Sequence, residues 1–156
     1  MAKFSKLVTA VCVVSTLGIG VAYAQDVDKA VKARKSVMQL YAHYLGKLGG
    51  MAKGNVEYNS EAASAAANSL AMLAKLDQSA MWPQGSDTDA LGEATAALPA
   101  IWTTFPAITE KGAAFGAAAD KMAAAAGTDL ASLQAVMGEL GGACGACHKD
   151  FRLKRD

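Results

Sequence analysis

The chain has 156 residues, 53% of them hydrophobic, with 15 basic side chains against 14 acidic ones and a formal net charge of +1. That length suits one domain around one core. So even a charge balance makes no electrostatic case for nucleic acid, which requires a strong basic excess.

Residues 1–24 read as a leader to be removed. Lys3 and Lys6 make a positive start, residues 7–21 are an apolar run, and Ala22-Tyr23-Ala24 is a small-x-small cleavage site that leaves Gln25 first. The run is shorter than the roughly 20 residues needed to cross a bilayer, so an uncleaved anchor is the competing reading. Cys12 lies in this segment without the context of a lipoprotein cysteine and is given no role. Taking 24 from 156 leaves a single domain of 132 residues, 25–156, and losing two lysines leaves 13 basic against 14 acidic groups. No second hydrophobic span follows.

Alanine and methionine are plentiful and proline is scarce, a helix-forming composition. Val27, Val31, Arg34, Met38, Tyr41, Leu45 and Leu48 recur in alternating steps of four and three, a seam that predicts a first helix from about Asp26 to Lys53 with Gly54 as its stop. Asn59 or Ser60 is expected to cap a second helix reaching about Asp77, with Ala63, Ala66, Leu70, Leu73 and Leu76 inward. Residues 78–97 read as a long crossover with a turn of helix near Leu91.

A third helix is expected from about Pro99 to Ala126, with Ile101, Phe105, Ile108, Gly112, Phe115, Ala119 and Met122 inward. Pro106 must either kink it or mark where its regular part begins. Thr128 is expected to cap a fourth helix whose inward stripe is Leu130, Leu133, Met137, Leu140, Cys144, His148 and Phe151. Together these predict an all-α protein, an antiparallel four-helix bundle.

The segment Cys144-Gly145-Ala146-Cys147-His148 carries the chemistry. Steps of three and four residues put both thiols and the imidazole on one helix face. Such a pattern suits covalent attachment of a c-type haem: the thiols add to its two vinyl groups and His148 binds the iron as proximal ligand. Three other readings compete. A thioredoxin-like redox pair wants a surrounding strand and helix alternation, a zinc site wants four ligands, and a disulfide across so short a loop would strain the helix.

The mature sequence resembles the class II cytochromes c, the cytochrome c prime family. The likeness rests on Ala33-Arg34-Lys35-Ser36-Val37-Met38, on Ala52-Lys53-Gly54 with Tyr58, on Ile101-Trp102, and on the stretch from Leu140 to Arg152 with its C-terminal haem motif. It implies one covalent haem c held by the fourth helix and covered by the first, with Arg34 near the propionates and Met38 at the distal position. Lys35 is a second candidate for a propionate, although solvated lysines are commoner. It also implies a periplasmic location, a monomer or a homodimer formed through the outer face of the first two helices, and redox proteins as partners.

Met38 decides between two functions. If its thioether binds the iron opposite His148, the haem is six-coordinate and suited to electron transfer. If it only packs over the haem, the vacant site could take NO or CO. No acid, base or nucleophile constellation accompanies the motif, so no enzyme is expected. His43 should point away from the iron. Trp82, Trp102, Phe105 and Phe115 are large enough to wall a haem or simply to fill a core. Lys149, Arg152, Lys154 and Arg155 read either as cations complementing a helix end or as a docking patch for an acidic partner.

Overall fold

The computed structural model describes residues 17–155, with side chains from residue 26 onward. The expected leader, residues 1–24, and Cys12 within it lie outside the described side chains. Among the described residues there are helices α1 (Leu17–Ala52), α2 (Ser60–Ala74), α3 (Thr88–Leu91), α4 (Ala100–Thr103), α5 (Phe105–Ala125) and α6 (Leu130–Phe151). The four long ones pack in the ring α1, α2, α5, α6, each antiparallel to the next. This is the expected four-helix bundle. None of the described helices is long and apolar enough to cross a membrane.

The helix ends follow local chemistry. Gly54 adopts φ 73°, a left-handed conformation that costs glycine little, and its N–H reaches back to the Met51 carbonyl at 3.1 Å. The Asn59 side chain accepts from the Ala62 N–H at 2.8 Å to cap α2. The cap of α6 is Asp129 rather than Thr128: its carboxylate accepts from the Ser132 N–H at 2.7 Å. The short acidic side chain sits at the positive end of the helix dipole, which favours it over the hydroxyl one residue earlier.

The expected third helix is two. Thr104 (φ −120°, ψ 44°) breaks it, and α5 starts afresh with Pro106 in its first turn, where a missing N–H removes no helical bond. The seam counted through the break therefore loses its phase, and Phe105 is 64% exposed instead of inward. Helix α2 likewise ends before Leu76, which is exposed.

The core has two parts. The larger joins Leu48 and Met51 of α1, alanines 63, 66, 67 and 71 with Leu70 of α2, Ala118, Ala119 and Met122 of α5, and Leu133 and Leu140 of α6. Small side chains on α2 and α5 let those axes approach closely. The smaller part is Ala97, Ile101 and Phe151, flanked by Trp82, Trp102, Ile108 and Cys147. It lies where the crossover meets the chain end: Leu98 N–H bonds the Phe151 carbonyl at 3.0 Å and Leu153 N–H the Ala96 carbonyl at 2.8 Å.

Candidate haem-attachment site

On α6 the two core clusters end at Leu140 and resume at Phe151, and the Cys-x-x-Cys-His segment occupies the interval. Cys147 packs against the smaller cluster, while Cys144 stands near Tyr41 at the edge of the larger one. Helices α1 and α6 also pack less extensively than the other neighbours of the ring. The two clusters thus stay separate along the stretch of α6 that carries both thiols, each of them half-buried. A flat apolar group tethered there would join the two clusters into one core, so the residues present fit a covalent haem.

The competing readings fare worse. Both thiols are free and half-buried, and burial pushes each thiol pKa up. A dithiol redox pair needs the opposite shift and a thiolate within reach. Among the described residues no three His, Cys, Asp or Glu side chains gather as zinc ligands would.

His148 is exposed in the last turn of α6. Partial burial, and secondarily the charge of Arg152, lower its pKa and favour the neutral ring, the form that binds metals. Arg152 lies one turn further on, with Nη1 3.5 Å from Nδ1 of the ring. A neutral imidazole that gives Nε2 to a metal carries its proton on Nδ1, so Arg152 would then have to turn aside.

Met38, expected on the inward seam, is 37% exposed. Its neighbour on the helix, Val37, is buried, and so is Arg34 one turn earlier. His43 is exposed and sits edge-on to Tyr44, their ring centroids 5.1 Å apart.

Arg34 is only 3% exposed, and the crossover supplies its hydrogen-bond partners. Nη1 donates to Ser86 Oγ at 2.7 Å, Nη2 donates to the Ser86 carbonyl at 2.5 Å and to Thr95 Oγ1 at 2.6 Å, and the guanidinium lies 4.8 Å from the Trp82 ring centroid. Neutral oxygens of the crossover and an aromatic face thus satisfy the buried cation. Burial lowers its pKa, and Asp87 partly counters this. Ser86 and Thr95 escaped the sequence reading. The available signal was a cation on an apolar seam, which obliges some segment to supply acceptors, opposite a crossover rich in polar residues.

Lys35 is exposed and donates to the Ala94 carbonyl at 2.6 Å. Trp102 donates its indole N–H to the Trp82 carbonyl at 3.1 Å, and Phe115 meets Tyr41 edge-on at 4.8 Å. The tryptophans thus belong to the smaller cluster and Phe115 to the larger.

A helical bundle with a divided core and a Cys-x-x-Cys-His segment on its last helix, between the two parts, defines a c-type haem protein. The family model described as Cytochrome C' matches residues 29–152, and the chain belongs to that family. A cytochrome c-554 from Cereibacter sphaeroides is 47% identical over 133 residues, covering 84% of this chain and 85% of that protein. A cytochrome c' from the same organism is 40% identical over 134 residues, covering 86% of this chain and 89% of its own length. The solved cytochrome c' from Rhodobacter Spheriodes superposes with a TM-score of 0.80 at 40% identity, covering 83% of this chain and 98% of that one. A nitric oxide complex of a mutant cytochrome c prime from Alcaligenes xylosoxidans superposes with a TM-score of 0.71 at 32% identity, covering 83% and 97%. Members of the family carry one covalently bound haem c.

Proposed function

We propose that this chain is an exported monohaem cytochrome that carries single electrons between periplasmic redox proteins. Residues 1–24 direct export and are removed, Cys144 and Cys147 form the two thioethers, and His148 is the proximal ligand. Once bound, the haem supplies one-electron chemistry at its iron. Arg34 holds the crossover against α1, and the loop in turn shields that end of the bundle from water. Lys35 stays on the loop surface, bonded to Ala94.

The observation that carries the electron-transfer reading is Met38. Met38 is 37% exposed on α1, one turn beyond the buried Arg34, and α1 packs against α6, the helix that bears His148. A second ligand there leaves little to rearrange when the charge changes.

A second reading, binding of NO or CO at a vacant distal site, draws on the names of the relatives, which fit it at least as well, and on the NO complex of one of them. In that case Met38 only lines the pocket. An absorption spectrum of the reduced protein, with and without CO, separates the two. A low-spin spectrum indifferent to CO, turned high-spin by Met38→Ala, supports Met38 as ligand. Prompt CO binding by the unaltered protein rejects it.

The outer side of α1 and α2 carries an open groove of about 780 Å³ lined by Gly46, Gly50, Ala62 and Ala65 among others. Such small residues suit a homodimer contact, which sedimentation of the holoprotein would report.

A further inference from the structure

The C-terminal end of α6 carries a charge pattern that the haem site does not require. Gly145, His148, Lys149, Arg152 and Lys154 line one recess of about 270 Å³ beside the axial histidine, with three cations and no carboxylate in its wall. A helix end accounts for Lys149 at most, because Arg152 is the cap residue and Lys154 and Arg155 lie beyond it. Arg155 folds back to donate to the Glu93 and Thr95 carbonyls at 2.8 and 2.6 Å, and Lys35 bonds the Ala94 carbonyl between them.

Five cations thus gather at one pole, and none of them is in the ion pairs found among the described residues. Among the described residues, the acids nearby are otherwise engaged or set apart from the recess. Asp150 is bound to Lys111 at 3.2 Å, Asp87 caps α3 through the Asp89 and Ala90 N–H groups, and Glu93 lies on the loop side. A chain whose mature charge is close to zero gains nothing in solubility from such local crowding. The cluster is well placed to attract an opposite field beside His148, the residue that would hold the haem iron.

We propose that the recess formed by Lys149, Arg152 and Lys154 is the docking surface for a redox partner that presents clustered Asp and Glu carboxylates. Partner carboxylates would enter the recess and bring the donor or acceptor up to the proximal side of the haem. The proposal rests on the electron-carrying reading above.

The test uses the holoprotein and two probes. Fluorescein-labelled poly-L-glutamate, followed by anisotropy at about 10 mM ionic strength where the Debye length is about 30 Å, should bind. The double change Lys149→Glu with Lys154→Glu should weaken binding about tenfold or more, whereas Lys53→Glu at the opposite pole should leave it unchanged. Oxidation of the ferrous protein by ferricyanide moves one electron, giving ferric haem and ferrocyanide. Its rate should fall steeply with added salt and lose that dependence in the double variant. Equal weakening by Lys53→Glu, or a ferricyanide rate flat in salt, overturns the docking surface while oxidation by a neutral quinone leaves electron carrying intact. Failure of the neutral quinone to oxidise the protein would instead sink the electron-carrying reading, and the docking proposal with it.

Discussion

Replacing Arg34 by methionine keeps an unbranched apolar stem in place and deletes the guanidinium that pins the crossover. Not all of its partners suffer equally. Thr95 Oγ1 still accepts from the Ala97 N–H at 3.1 Å, and Ser86 Oγ still donates to the Pro83 carbonyl at 2.7 Å. The buried Ser86 carbonyl loses its 2.5 Å donor, and an acceptor left unpaired out of water costs about 1–3 kcal/mol. Loss of the contact with the Trp82 face adds about 0.5–1 kcal/mol. Against this, the variant no longer desolvates a cation, which keeps the net loss near 2–3 kcal/mol rather than the sum of every bond removed. Denaturant melting followed by far-ultraviolet circular dichroism measures it, and a double-mutant cycle with Ser86→Ala should show at least about 1 kcal/mol of coupling. Stability within about 0.5 kcal/mol of the parent would refute the idea that the guanidinium is spent on the loop, and strict additivity with Ser86→Ala would remove the Ser86 Oγ bond from that account.

Leu133→Ala, in the fully buried layer between α5 and α6, should cost about 3 kcal/mol in the same melt, because the ring of helices cannot collapse into the space. Gly127→Ala would place a Cβ 3.0 Å from Cβ of Ser64, an atom rooted in the α2 backbone, so a loss of about 1–2 kcal/mol is expected, partly recovered by adding Ser64→Gly. The Asp129 carboxyl is held below its ordinary range by the Ser132 N–H, so its contribution is present above the unfolded-state pKa of about 4 and fades as pH falls through the folded value. Asp129→Asn keeps a cap acceptor without titrating, and the acid limb of stability against pH should therefore be shallower in that variant, as melts between about pH 5 and 2 would show.

The bundle was legible in the sequence along most of each unbroken helix, although Met38 and His148, expected on the inward stripes of α1 and α6, are exposed. The steps through Val27, Val31, Arg34 and Leu48 and through Leu133 and Leu140 match buried positions because a single phase holds along each segment. Phe105 and Leu76 failed because periodicity cannot see a helix end: Thr104 resets the count for one, and α2 stops short of the other. In the site, covalent spacing alone placed Cys144, Cys147 and His148 on a common face. The partners of Arg34 were not legible, since Ser86 and Thr95 lie 52 and 61 residues away and are brought to it by the path of an irregular segment. Periodicity says which side of a helix is inward. It does not say what covers that side.

The division of the core into two clusters bears on how such a protein is assembled. The buried residues of the larger cluster are all alanine, leucine and methionine, with Tyr41, Tyr58 and Phe115 packed around them, so this half of the core is built from protein side chains alone. Hydrogen exchange on the apoprotein should accordingly protect the amides around Leu48, Leu70, Met122 and Leu133 while those flanking Met38 exchange fast. A maturation enzyme would meet a scaffold with one storey already built and two thiols waiting at the landing.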